Sequence, residues 1–334
     1  MGDNMKVKEN ILNIRIFGLS IFIAGLLTLL GLEWYLRTST TPSLTPGYKR
    51  SHFERIYELV PNYEGKTYEA VLKFNSLGIR DYEKPILKDA YRIAIFGDSI
   101  TFGQGVELKN TFAKILEQQL NEYYKTKPQI QVFNFGVPSY NTIYEYLYLK
   151  DSYQKYKPNL VILQYTAEDD SISSHKNQYQ FISFIKDIAQ QFYIYQFFVS
   201  NIYSLMDSST AHKSSNIYSN DNEGWLETQK TFKDIKQFAK ENNFQLLFAL
   251  YVNKLKDPIV KKIKQAVKNA EIENVVLIDD FFHEVKGQEQ LLWLKSDDNH
   301  FSKLAHQLTA KGIYQYLIDQ EIINHGKKIN SISD

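Results

Sequence analysis

The chain of 334 residues contains no cysteine. That excludes disulfide frameworks and thiolate-ligated metal sites. It fits an extracytoplasmic protein without requiring one. An excess of one charge is lacking too. Lys and Arg number 39 against 38 Asp and Glu, for a net charge of +1, and no basic run stands out. Nucleic acid is therefore not expected as a partner. His52, His175, His212 and His325 lie in polar or terminal segments, His283 follows a strand and His306 sits on the last helix. None pairs with a second His or Asp at metal-ligand spacing, so neither a metal nor a cofactor is expected. No internal repeat is visible. A hydrophobic content of 43% with 23% charged residues is ordinary for a globular protein and sufficient for a sizeable core.

Ile16 to Leu32 form an apolar run without a charge, closed by Glu33 and by Trp34 and Tyr35. A helix through it reaches the length of a bilayer core of about 30 Å at about 1.5 Å per residue. Trp34 and Tyr35 suit an interfacial belt. Lys6, Lys8 and Arg15 ahead of the run favour a cytoplasmic N-terminus, while Arg37, Lys49 and Arg50 beyond it soften that preference. The expectation is an uncleaved signal anchor over residues 16–36, with residues 1–15 as a short cytoplasmic tail. The location that follows is a bacterial inner or cytoplasmic membrane, crossed once, with the main domain outside the cytoplasm. A cleaved signal peptide and a buried core helix are the competing readings.

Residues 37–88 read as a linker, rich in Ser, Thr and Pro, followed by a polar and aromatic extension packed on the main domain. From residue 89 to 325 strands and helices alternate. Strands are expected at Tyr91–Phe96, Ile130–Phe135, Leu160–Gln164, Gln245–Val252 and Val275–Asp279. Helices are expected at Thr111–Tyr124, Thr142–Tyr156, Trp225–Glu241, Pro258–Ala270 and from Ser302 to about Ile318. Such alternation predicts an α/β fold with about five parallel strands. Residues 171–224 interrupt it as a helical insertion, either a lid over the site or a surface excursion. Residues 326–334 form a tail.

Two segments carry chemistry. In YRIAIFGDSITFGQGV, Tyr91 to Val106, a buried strand stops at Gly97-Asp98-Ser99. A serine at the carboxyl end of the first strand of an open α/β sheet is a candidate nucleophile, the alternative being a helix cap. Asp98 is read as a turn residue. Near the C-terminus, Asp297 and His300 precede an amphipathic helix capped by Ser302. An Asp three residues before a His can lie beside the imidazole if the segment makes one tight turn, fixing its tautomer. The alternative is a solvated His in a polar loop.

Taken together these blocks resemble the SGNH hydrolase superfamily, the GDSL esterases and lipases. GDSI at Gly97–Ile100, Asn134-Phe135-Gly136 and DDNH at Asp297–His300 follow its order, and NSLGIRDYEKP at Asn75–Pro85 is similar to the lead-in of membrane-anchored bacterial members. The resemblance implies a three-layer flavodoxin-like fold, a Ser99–His300–Asp297 triad and ester chemistry. The backbone N–H groups of Ser99 and Gly136 would hold the oxyanion, unless Gly136 is a plain turn residue. The third block departs from the family pattern. Its Asn, an oxyanion donor, falls on Glu168 or Asp169, and an ionised carboxylate cannot donate. Either that carboxyl is protonated, another side chain serves, or turnover is weak. The expected function is a serine esterase or O-acyltransferase acting on an ester-bearing small molecule, glycan or lipid of the envelope. The alternative is a degenerate protein that binds a glycan or a partner.

Overall fold

Five mostly apolar runs, with Arg92 near the start of the first as their one charge, give the five strands of a central sheet. They are β5 (Tyr91–Gly97), β6 (Ile130–Gly136), β7 (Leu160–Thr166), β8 (Gln245–Tyr251) and β9 (Asn274–Leu277). All pair in parallel, in the order β6-β5-β7-β8-β9. Alternation along each strand divides the core. Ala94, Phe96, Val161 and Leu163 point to one layer; Ile93, Ile95, Leu160 and Ile162 point to the other. The computed structural model describes residues 2–125, 129–167, 187–199, 218–220, 222–252 and 257–323.

Helices cover both faces, giving the three layers expected. On one side lie α3 (Phe112–Tyr124) and α7 (Lys303–Asp319), burying Phe112, Leu116 and Leu120 against Leu308, Ile313 and Leu317. On the other lie α4 (Thr142–Tyr156), α5 (Glu223–Asn242) and α6 (Asp257–Asn269), with Leu149, Phe232 and Ile263 inward. Asn141 caps α4 and Asn222 caps α5 through their side-chain oxygens, 3.2 and 2.9 Å from the amides of Tyr144 and Trp225. Because β5 lies between β6 and β7, the chain reverses direction across the sheet there. The carboxyl ends of these strands therefore bound a crevice, the usual ligand position in such sheets.

The extension consists of two antiparallel hairpins, β1 (Lys49–Ser51) with β2 (Tyr57–Leu59), and β3 (Glu64–Thr67) with β4 (Ala70–Lys73). It packs on the main domain, with Tyr57, Leu59, Leu72 and Phe74 clustered against Phe102 and Tyr140. Ahead of it runs α1 (Gly2–Ser39), of which Asn10–Ser39 is long and apolar enough to cross a membrane and has none of its apolar window buried. The last turns of α1 meet the insertion. Glu33 accepts from the amides of Tyr193 and Ile194 at 3.1 and 3.0 Å, and the Arg37 guanidinium lies 5.1 Å from the Tyr193 ring centre. Within the insertion a helix covers 193–199; residues 171–186, 200–217 and 221, on which a lid would depend, lie outside the described residues, as does the tail.

Candidate active site

β5 ends at Gly97 because nothing larger fits. A Cβ there would stand 2.2 Å from Thr101 Oγ1 and 2.7 Å from Gln164 Oε1. The buried Asp98 then accepts from Ile100 N–H at 2.7 Å and caps α2 (Ser99–Phe102). It thus has the structural turn role read from the sequence, and Ser99 becomes the first residue of a short helix. Gly103 stops the helix at φ +81°, a left-handed conformation that glycine tolerates.

The hairpin β10 (Trp293–Leu294) and β11 (Asp297–Phe301) carries the other two groups. Trp293 pairs with Phe301, and Leu294 with Asp297. One step on β10 thus matches four on β11, leaving Asp298, Asn299 and His300 as three extra residues (301 − 297 − 1 = 3). Asn299 N–H donates to Asp297 Oδ1 at 2.8 Å and folds this bulge back on itself. The sequence led us to expect that one tight turn would bring Asp297 beside His300. The structure achieves the same proximity with a bulged strand, because pairing to β10 holds both ends of the segment. Ser302 caps α7 as expected, accepting from Ala305 N–H at 3.3 Å.

The three groups named from the sequence meet. His300 Nε2 lies 3.0 Å from Ser99 Oγ across 201 positions of chain, and His300 Nδ1 lies 2.5 Å from Asp297 Oδ2. An ionised carboxylate only accepts, so Nδ1 carries the ring proton and Nε2 is left to accept from the serine hydroxyl. His300 and Asp297 are both mostly covered, with side-chain exposures of 16% and 14%. Burial works to raise the Asp297 carboxyl. Donation from the Tyr68 hydroxyl, from Asn299 N–H and from His300 outweighs it and holds the group below the usual carboxylate range.

The expected oxyanion donors fare differently. Ser99 N–H, at the first position of α2, has no acceptor among the described residues. Gly136 N–H already donates to Asn134 Oδ1 at 2.9 Å, so the second donor expected from the sequence is engaged within β6. Glycine is needed at 136 for another reason. A Cβ there would stand 2.1 Å from Phe102 N, on the backbone of α2. Asn134 secures the same contact, donating to Thr101 O at 2.9 Å. Glu168 and Asp169, the carboxylates of the altered third block, lie outside the described residues.

Three contacts come from residues of the extension that were not among the site residues named from the sequence. Tyr68 donates its hydroxyl to Asp297 Oδ2. Thr67 Oγ1 accepts from Gly105 N–H at 2.9 Å. Arg80, wholly buried, donates to Phe102 O at 2.8 Å, to Val106 O at 2.5 Å and to Gly103 O. Burial lowers the Arg80 guanidinium to about 9, which leaves it charged at neutral pH. Arg80 stands within the NSLGIRDYEKP run, the sole advance sign that this segment serves the site.

A family model described as GDSL-like Lipase/Acylhydrolase matches residues 93–313. No curated protein matches the chain. Among solved structures, a psychrotrophic esterase from Pseudoalteromonas sp. is 13% identical with a TM-score of 0.45, covering 70% of this chain and 100% of its own. A two-domain esterase active on acetylated mannans is 14% identical with a TM-score of 0.45, covering 70% of this chain and 50% of its own. An acetyl xylan esterase is 13% identical with a TM-score of 0.43, covering 67% and 98%.

Proposed function

This chain belongs to the family of GDSL-like lipases and acylhydrolases, and from that premise we propose that it cleaves esters with Ser99 as nucleophile, His300 as general base and Asp297 as the group that orients His300. The observation that carries the reading is the unbroken run Ser99 Oγ, His300 Nε2, His300 Nδ1, Asp297 Oδ2 at 3.0 and 2.5 Å. Ser99 Oγ attacks the ester carbonyl carbon and its proton passes to His300 Nε2. The imidazolium is stabilised by Asp297. The tetrahedral oxyanion faces Ser99 N–H, then collapses and expels the alkoxide, which leaves as the alcohol with the proton from His300. Water repeats the sequence on the acyl-enzyme and releases the acid. A sugar hydroxyl in place of water makes the protein an O-acyltransferase.

The reading includes a single-pass anchor. Glu33, on the last turns of α1, is hydrogen-bonded to Tyr193 and Ile194 of the folded domain, and Leu36 is buried. These contacts favour a retained segment over a cleaved signal peptide. On this reading residues 37–88 and 89–325 form one catalytic unit beside the membrane and act on envelope glycan or lipid esters.

A second reading draws on the engaged Gly136 amide and the missing third-block Asn: a degenerate binder of a glycan or a partner. A fluorophosphonate probe separates the two. Labelling of the native protein but not of Ser99→Ala, with release of p-nitrophenol from its acetate by the native protein alone, is the result expected of an esterase. Folded protein that neither labels nor releases p-nitrophenol would leave the binding reading in place.

A further inference from the structure

We propose that Tyr68 is a positioning residue of the catalytic centre, its hydroxyl fixing Asp297 in the orientation His300 requires. The proposal rests on the assignment of Ser99, His300 and Asp297 just given.

Tyr68 lies 229 positions before Asp297, in the extension and outside the sheet. The pairing of Thr67 with Ala70 leaves Tyr68 and Glu69 as a two-residue turn, and Tyr68 stands at φ +50°. Left-handed backbone at a hairpin turn favours Gly, Asn or Asp, and a bulky aromatic is unfavourable there. Such an outlier persists where the surroundings enforce it, and it points to use. Here they do enforce it. Thr67 Oγ1 accepts from Gly105 N–H at 2.9 Å and donates to Ser43 O at 2.9 Å. Glu107 Oε1 accepts from Val71 N–H at 3.0 Å. The hairpin therefore grips the loop that follows α2 and brings the phenol to Asp297 Oδ2, the oxygen that His300 also contacts.

Each Asp297 oxygen is then committed. Oδ1 accepts from Asn299 N–H; Oδ2 accepts from His300 Nδ1 and from Tyr68. Without the phenol, Oδ2 is held by the imidazole alone and Oδ1 by Asn299 N–H, so the carboxylate keeps two of its three hydrogen bonds and is held less tightly. The phenol also shares the carboxylate's charge, so its loss leaves more negative charge to stabilise imidazolium. The other groups around the pair do not change: Asp98 and Ser99 at the start of α2, and His306 on α7, which senses both His300 and Arg80.

The test compares full-length, detergent-solubilised protein with Tyr68→Phe, Tyr68→Asn and Ser99→Ala, using p-nitrophenyl acetate across pH. Tyr68→Phe is expected to lower kcat roughly tenfold, with KM changed by less than about twofold, as for loss of one charge-assisted hydrogen bond. It is also expected to move the acid limb of kcat/KM upward by about half a pH unit or more. Tyr68→Asn relieves the turn, so its melting temperature should equal or exceed that of the native protein while its kcat falls equally. A merely structural tyrosine gives the reverse: activity follows melting temperature and the acid limb stays in place. Either that pattern, or native kcat and limb in Tyr68→Phe beside an inactive Ser99→Ala, overturns the proposal alone. A Ser99→Ala protein as active as the native one removes the assignment beneath it, and the proposal with it.

Discussion

Arg80 donates its guanidinium to the carbonyl of Phe102, 22 positions later in the chain, at 2.8 Å. With Gly103 O and Val106 O as further acceptors, one buried side chain gathers three carbonyls at the open end of α2. These carbonyls have no competing water, because Arg80 is 0% exposed. Lysine cannot reproduce the planar fork. Arg80→Lys should lower stability by about 2 kcal/mol, and Arg80→Leu by about 3 kcal/mol or more, since it orphans three buried acceptors. Chemical denaturation of the three proteins gives the comparison; equal midpoints would show that the carbonyls find other donors.

Asp297→Asn keeps the shape of the carboxylate but can turn an amide N–H toward His300 Nδ1. The ring then shifts its proton to Nε2, where it can no longer accept from Ser99. We expect kcat to fall by about 10⁴-fold with little change in KM, by the logic of serine triads generally. Steady-state kinetics decide it. A loss below about tenfold would mean that His300 keeps its tautomer without Asp297.

The sheet was legible because its strands are mostly apolar runs lying between helices, so all five appear with ends shifted by at most two residues. β7 runs two residues longer than expected, to Thr166, and β9 ends two residues early. Expected over Val275–Asp279, it ends at Leu277 because Ile278 enters a 3-10 turn and Asp279 accepts from Val252 N–H at 2.9 Å instead of extending the strand. Ser99, His300 and Asp297 were legible as residue types in order, and the bulge that joins them was not, since its offset is set by pairing with β10. Tyr68 and Arg80 were illegible as site residues. Their roles depend on where the extension docks, which no local pattern encodes. The engaged amide of Gly136 depends likewise on the rotamer of Asn134.

Gly136→Ala tests the approach of β6 to α2. The added Cβ would stand 2.1 Å from Phe102 N and 2.5 Å from Thr101 C, both backbone atoms that cannot rotate aside. Displacing α2 by even 1 Å moves Ser99 out of line with His300. Fluorophosphonate labelling should slow by about 100-fold or more while far-UV circular dichroism is retained. Native labelling rates would indicate that α2 shifts without disturbing Ser99.

His306 makes acid stability the fourth test. Its Nδ1 accepts from Phe112 N–H at 3.3 Å, satisfying the first turn of α3, and its ring packs between Phe112 and Phe301 at centroid distances of 5.9 and 5.8 Å. Nε2 has no partner among the described residues. Burial first, then the charges of Arg80 and His300, lower the imidazole from 6.5 to about 3. Between these values the unfolded chain binds a proton that the folded protein does not. The neutral ring's contribution to stability is therefore full above pH 6.5 and is lost as pH falls toward about 3. The slope from this one group is about 1.4 kcal/mol per pH unit. His306→Gln retains an acceptor for Phe112 N–H but cannot take up a proton. Unfolding free energies measured from pH 7 to 4 should therefore fall less steeply for the variant by about that slope. Parallel curves would mean that His306 takes up its proton in the fold as readily as in the unfolded chain, giving up the bond from Phe112 N–H to Nδ1.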